Sequence, residues 1–149
     1  MLCEMEGLMN GQQLKRLFDK LYEPLMKQYG LKKIELEVLL FLNTYKAYDT
    51  AKDIVNFKCL SKAHVSKAIE SLSKKGYISA NCGEQDRRCM HLTITGQAGP
   101  VLTEMEKLWS EWENVIYEKV TREERELLKD VMSKIANNIN NVLEYDRKS

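Results

Sequence analysis

The sequence predicts a mainly α-helical chain with one small β-hairpin. Its 149 residues include only 7 Gly and 2 Pro, and so few turn residues favour long elements over a sandwich of many strands. Apolar residues recur at three- and four-residue steps over most of the chain, which is the period of amphipathic helices. Hydrophobic residues at 44% and charged residues at 30% are typical of a soluble globular protein, and the length favours one domain over residues 1–149.

Three helical segments are predicted in the first part of the chain. Helical periodicity indicates a helix over 12–29, and residues 34–43 form a segment that is apolar nearly all round and therefore central. Thr50 and Asp53 have the spacing of a capping box, with Asp53 in the first helical turn. A short helix through Phe57 should follow.

A fourth helix and the hairpin come next. Ser61 is a helix-capping residue type, and the helix that it starts should run to Lys75, with Gly76 as its C-terminal stop. The period then changes to two over residues 77–82 and 89–94, which are separated by a charged loop of six residues. This pattern predicts two short antiparallel strands.

Two more helical patterns close the chain. Periodicity returns from Thr95, with Pro100 placed near the first turn, where a missing N–H does least harm. Thr121 and Glu124 form a second capping box. The apolar stripe that follows is too long for the small centre of the chain to cover. The terminal helices are therefore expected to pack together across a dimer.

The order of elements between residues 34 and 94 is that of a winged helix-turn-helix. In that arrangement the helix over 61–75 is the reading helix, which enters the major groove of DNA, and the loop 83–88 is the wing. The motifs are the run Leu60-Ser-Lys-Ala-His-Val-Ser-Lys-Ala-Ile-Glu-Ser-Leu-Ser-Lys-Lys-Gly-Tyr-Ile78, the wing Asp86-Arg87-Arg88 and the exit Leu92-Thr-Ile-Thr-Gly96.

On these motifs the chain resembles the MarR (multiple antibiotic resistance regulator) family of transcriptional regulators. The resemblance implies a winged helix-turn-helix lobe over about 34–94 and dimerisation helices over about 8–29 and 96–145. It also implies a homodimeric, ligand-responsive regulator, in which Asp86 orients an arginine of the wing. We interpret the chain as a repressor that binds a pseudo-palindromic operator.

The distribution of charge agrees with double-stranded DNA as the partner. The chain carries +1 overall, but residues 50–92 contain eight basic and four acidic side chains, so this segment carries +4 and the rest of the chain −3. Positive charge matters because neutralising phosphates releases counterions from DNA. The candidate DNA-contacting residues are Ser61, Lys62, Ala63, His64, Ser66 and Lys67 of the reading helix and Asp86, Arg87 and Arg88 of the wing.

The cysteines suggest an alternative function for a regulator of the same fold. Cys82 and Cys89 flank the wing loop and could face each other across the hairpin, where a disulfide is conceivable. Its formation would alter the wing, which is the thiol-based redox-sensing alternative. Two reduced thiols are the favoured reading, because no export signal is present and the cytoplasm, where the protein is expected to stay, is reducing.

Other classes of function find little support. The sequence has no glycine-rich phosphate loop, nucleophile elbow or HExxH motif, so we predict that it is not an enzyme. With two His and no CxxC, no metal site and no cofactor are predicted. No apolar run is long enough for a membrane span.

The resemblance implies a small aromatic effector, but its binding residues are unknown. Tyr22, Phe41, Tyr45 and Trp109 are candidates, although packing is the favoured role of each.

The alternative function from another class is that of a winged-helix protein-interaction module without DNA binding. It would be favoured if a face made by Lys62, Ser66, Lys67 and Arg88 were covered in the structure.

Overall fold

A computed structural model describes residues 11–82 and 89–148 of the chain. The helices of these residues are α1 (Gly11–Tyr29), α2 (Lys33–Thr44), α3 (Ala51–Lys58), α4 (Lys62–Lys74), α5 (Gly99–Ile116) and α6 (Arg122–Lys148), and the strands are β1 (Ile78–Cys82) and β2 (Met90–Ile94). A short 3-10 helix, Gly96–Ala98, leads into α5. The mainly α-helical fold with one small hairpin is thus confirmed.

The chain forms two compact units, one up to Trp109 and one from Ser110. In the first unit α2 lies at the centre, as its apolar pattern predicts, and it packs against α1, α4 and β2. The largest side chains that are fully buried include Leu25 of α1, Leu36, Leu39 and Phe41 of α2, Ile54 of α3 and Leu72 of α4. These residues form the core against which the hairpin and the reading helix α4 are held.

The predicted helix starts and stops are present. The Oγ1 of Thr50 accepts a hydrogen bond from the Asp53 N–H at 3.2 Å, and the Asp53 carboxylate accepts one from the Thr50 N–H at 3.1 Å. The Oγ of Ser61 likewise accepts from the His64 N–H at 3.2 Å. Gly76 has a φ of +79°, and a Cβ there would lie 2.6 Å from Oε1 of Gln97. The turn after α4 therefore requires glycine.

The hairpin has an antiparallel register that runs from Ile78 opposite Ile94 to Cys82 opposite Met90. Cys89 precedes β2, so Met90 and not Cys89 faces Cys82. The expectation that the two cysteines face each other is wrong, because the register differs from it by one residue and neighbouring strand residues point to opposite faces.

A third short segment, which the sequence pattern does not reveal, pairs with the hairpin. Thr50 forms a β-bridge with His91, and the Leu92 N–H donates to the Asp49 carbonyl at 2.8 Å. The Nδ1 of His91 also lies 2.7 Å from the Asp49 carboxylate. The residues that start α3 are thereby tied to the base of the wing.

One carboxylate is buried in the first unit. Glu35 is 1% exposed, and it accepts hydrogen bonds from the Lys32 N–H at 2.7 Å and from Nζ of Lys75 at 3.0 and 3.2 Å. Burial alone would raise the pKa of Glu35, but hydrogen bonds from Ser71, Lys32 and Lys75 lower it below its ordinary value. Lys75 also donates to the Gly30 carbonyl at 3.0 Å. These contacts join the α1–α2 turn and the start of α2 to the end of α4.

The second unit contains the end of α5 and all of α6. The predicted capping box is formed, since the Thr121 N–H donates to the Glu124 carboxylate at 2.8 Å and the Glu124 N–H to the Thr121 hydroxyl at 3.2 Å. The Arg125 guanidinium lies over the Tyr117 ring, 4.2 Å from its centroid. The exposed apolar side chains of α6 are Leu127, Leu128, Val131, Met132, Ile139, Val142 and Leu143. Among the described residues, no helix is long and apolar enough to cross a membrane.

The buried carboxylate gives a stability prediction. Glu35→Gln keeps the size of the side chain but removes the charge that Lys75 and Ser71 bind, so the free energy of unfolding should fall by about 1–3 kcal/mol at neutral pH in urea titrations. Because folding lowers the pKa of Glu35, the ionised carboxylate contributes its full stabilisation at pH values above its pKa in the unfolded chain, which is about 4.3. The difference in the free energy of unfolding between parent and variant should shrink as the pH falls through the lower pKa that Glu35 has in the folded protein.

Glu23→Gln is the matched control for this experiment. The pKa of Glu23 is also lowered, by a hydrogen bond from Lys27 and by its charge, but the pair is exposed on α1. Removing that charge should leave the unfolding midpoint almost unchanged. Equal effects of the two variants would contradict the role given to the buried carboxylate.

Candidate nucleic-acid interface

The reading helix α4 presents one face to the core and another to solvent. Val65, Ala68 and Leu72 are buried and follow a helical spacing, which anchors the helix against α2 and α3. The opposite face of its first two turns is open. All six reading-helix residues predicted from the sequence are exposed there: Ser61, Lys62, Ala63, His64, Ser66 and Lys67.

The charge of this face is concentrated near the helix N-terminus. Neither Lys62 nor Lys67 has an ion-pair partner among the described residues. Lys74, in the last turn, instead lies 2.7 Å from the Glu70 carboxylate. The first turn of a helix also carries N–H groups without helical partners, which attract phosphate. Uncompensated positive charge and helix polarity therefore act together at one end of α4.

A groove of about 630 Å³ extends this face toward α3 and the wing base. Lys62 and Ser66 of α4 line one side, Lys52 and Val55 of α3 another, and Cys89 and Met90 a third. The sequence does not identify Lys52 as a contact, because a pattern along one helix does not show which residues of the preceding helix lie beside it. Lys52 is the main addition that the structure makes to the candidate site.

The wing itself falls outside the described residues. Asp86, Arg87 and Arg88 belong to the segment 83–88, so their roles stay predictions, as does the redox role of Cys82 and Cys89. The described base of the wing is fixed by β-pairing and by the contact of His91 with Asp49. Cys89 and Met90, where β2 begins, line the groove.

Neither a metal centre nor a covered protein-binding face is present in the part of the chain that the structure describes. No group of three or more His, Cys, Asp or Glu side chains there could hold a metal ion. Lys62, Ser66 and Lys67 are all exposed, so the condition that would favour a protein-interaction module without DNA binding is not met for these three residues.

Together, α3, α4 and the hairpin define a winged helix-turn-helix, which places the chain among proteins that read DNA with a helix and a wing. The sequence profile of the family described as "Transcriptional regulator SarA/Rot" matches residues 20–108. This match takes in more than half of the chain, from within α1 to within α5. The protein belongs to the SarA/Rot family of transcriptional regulators.

Individual relatives agree with this assignment. An uncharacterized HTH-type transcriptional regulator of Bacillus subtilis, YdgJ, is 28% identical over 114 residues, which are 76% of this chain and 68% of the relative. A MarR protein from Peptoclostridium difficile has a TM-score of 0.73 at 21% identity over 91% of this chain and 88% of its own. The S. aureus MepR–DNA complex has a TM-score of 0.70 at 16% identity, with coverages of 91% and 98%.

These likenesses confirm the MarR-type fold that the sequence motifs predict. With the family assignment, they identify the chain as a DNA-binding transcriptional regulator. The prediction that it is not an enzyme is confirmed as well, since the matched family consists of transcriptional regulators.

The candidate interface predicts the effect of removing its lysines. Lys62→Ala and Lys67→Ala should each weaken binding to a DNA fragment selected for tight binding by about three- to tenfold. Each should also reduce the slope of log affinity against log salt by about one, because a phosphate contact is lost. Fluorescence anisotropy at several salt concentrations measures both quantities.

Lys74→Ala provides the control within the same helix. Its ammonium group is paired with Glu70 at the far end of α4, so affinity and salt slope should change little. If Lys74→Ala weakens binding as much as the other two variants, contact with DNA is not concentrated in the N-terminal half of α4.

Proposed function

We propose that the protein is a ligand-responsive repressor that binds a pseudo-palindromic operator as a homodimer. The observation that carries this proposal is the exposed, unpaired positive charge at the start of α4, beside a groove shared with α3 and the wing base. One such face reads one half-site of DNA. A two-fold pair of them reads two half-sites on the same side of the duplex.

The residues of the interface would make different contacts with DNA. Ser61, Ala63, His64 and Ser66 are short or flat enough for α4 to approach base edges, while Lys62 and Lys67 reach phosphates or a guanine edge. In the wing, Arg87 or Arg88 would enter the minor groove, oriented by Asp86. The structure of the S. aureus relative MepR is that of a DNA complex, which supports DNA as the partner of this face.

The homodimer is proposed from the apolar surface of α6. Leu127 and Val142 are 63% and 62% exposed, and five more apolar side chains of the helix are also open. A stripe of this length is rarely left in water. A second copy of the chain offers an identical stripe and the two-fold symmetry that a palindrome requires.

The effector is proposed to occupy a cavity of about 320 Å³ in the first unit. This volume is at the lower end of the range for small-molecule sites. The lining residues are Phe18 and Leu21 of α1, Leu40 and Thr44 of α2, and Met105, Glu106 and Trp109 of α5. Because α2 also packs against α4, a ligand that moves these helices apart would change the position of the reading helix.

Only one of the four aromatic candidates lines this cavity. Trp109 does, whereas Tyr45 belongs to a separate cluster with Phe41 and Phe57. Tyr22 is buried, and burial together with the charge of Glu37 raises its pKa to about 12. Tyr22 is therefore a neutral core residue.

Selection of bound sequences from random DNA tests the function directly. The proposal predicts enrichment of an inverted repeat whose half-site centres lie about 10–10.5 base pairs apart, one helical turn of DNA. Enrichment of a single half-site would contradict the dimeric mode of binding. Absence of any enriched sequence would contradict a sequence-specific repressor.

The dimer gives a separate prediction. Leu128→Glu places a charge in the exposed apolar stripe of α6, so light scattering at micromolar concentration should change from the mass of two chains to that of one. Ser133→Glu adds the same charge on another side of α6 and should leave the dimer intact. A monomeric parent, or a Leu128→Glu variant as dimeric as Ser133→Glu, would contradict this interface.

A further inference from the structure

The chemistry of the cavity between α1, α2 and α5 restricts what it can bind. Leu21 and Met105 are almost completely buried, and they form an apolar floor. Thr44, Glu106 and Trp109 line the same cavity but are exposed, which places them at its rim. A ligand would therefore insert an apolar body and keep its polar end near Thr44 and Glu106.

The polar rim carries negative charge without compensation. Among the described residues, no basic side chain lines the cavity and Glu106 has no ion-pair partner. A carboxylate beside an apolar wall repels an anionic ligand and attracts a cationic one, and the attraction grows as the ligand excludes water. The charge at the rim thus disfavours carboxylates and phenolates.

An aromatic wall stands beside this carboxylate. The rings of Phe18 and Trp109 are stacked with centroids 5.7 Å apart and planes 5° apart, and both line the cavity. Aromatic faces, that of tryptophan above all, attract organic cations through the ring quadrupole. Glu106 precedes Trp109 by three residues on α5, so carboxylate and indole lie on the same side of that helix.

We infer that the cavity binds an organic monocation, a quaternary or protonated amine with a compact aromatic or branched alkyl body. The inference rests on the proposed function, which makes this cavity the effector site, and it adds the sign of the charge. The ammonium group sits between Glu106 and the Trp109 ring, and the apolar body reaches the floor at Leu21 and Met105.

Three probes of similar size, two of them with the same shape, test the sign of the charge. Benzyltrimethylammonium is the cation, neopentylbenzene is its neutral counterpart with carbon in place of nitrogen, and 3-phenylpropanoate is an anion of similar size. The full-length chain with Trp112→Phe retains Trp109 as its single tryptophan. Its indole ¹⁵N–¹H signal then reports binding at the cavity directly. The cation should bind more tightly than both other probes, and equal or tighter binding of the anion would overturn the inference.

Substitution of the carboxylate separates charge from shape. Glu106→Gln should weaken binding of the cation by about fivefold and leave the neutral probe unchanged. Glu104→Gln removes a carboxylate from the same helix, outside the lining of the cavity, and should change neither affinity. An unchanged affinity for the cation in Glu106→Gln would overturn the inference.

The affinity for DNA, measured in the same samples, distinguishes this inference from the proposed function. If the cation shifts the Trp109 signal and weakens DNA binding, both are supported. If the Trp109 signal shifts but DNA binding does not change, the ligand class is supported and the effector role is overturned. If no probe shifts the signal while DNA binding is intact, the ligand inference alone is overturned.

Discussion

One buried carboxylate, that of Glu35, joins the C-terminal end of the reading helix to the central helix α2. Glu35 lies near the start of the central helix α2, and its oxygens are bound by Lys75 from just beyond the end of α4, by Ser71 within α4 and by the Lys32 N–H. A buried charge that loses one such partner is strongly destabilising. The C-terminal end of α4 is therefore held to α2, while its N-terminal half, where the uncompensated lysines lie, faces solvent.

The elements that the sequence predicts correctly are those fixed by contacts within a few residues. Thr50 with Asp53, Ser61 with His64, and Thr121 with Glu124 each join positions three apart, and the requirement for glycine at position 76 belongs to the turn in which it lies. Helix starts and stops formed in this way can be read from the chain because the partners are neighbours in sequence.

The features that the sequence does not reveal depend on distant partners. Glu35 and Lys75 are forty residues apart, and Asp49 and His91 forty-two, so no local pattern shows that they meet. The cysteines of the hairpin show a related limit, since a register shift of one residue decides whether Cys82 faces Cys89 or Met90. Lys52 belongs to the candidate site because the packing of α3 against α4 places it on the groove, and no pattern along one helix shows this.

The charge distribution relates this architecture to regulation. A total charge of +1 combines a positive segment around α3, α4 and the wing with more acidic terminal regions, so binding to random DNA should be weak. In the proposed dimer, affinity would then depend on two reading helices held one helical turn of DNA apart. The cavity between α1, α2 and α5 adjoins the helix that carries Glu35, and the proposed effector would act on that spacing through α2.

We expect DNA to contact the exposed start of α4. Titration of the ¹⁵N-labelled protein with selected operator DNA tests this contact, because each backbone amide reports its own surroundings. The largest amide shifts should fall within residues 61–67, with smaller ones at Ser71 and Lys75, whose side chains face Glu35. Largest shifts in α6, with residues 61–67 unaffected, would contradict it.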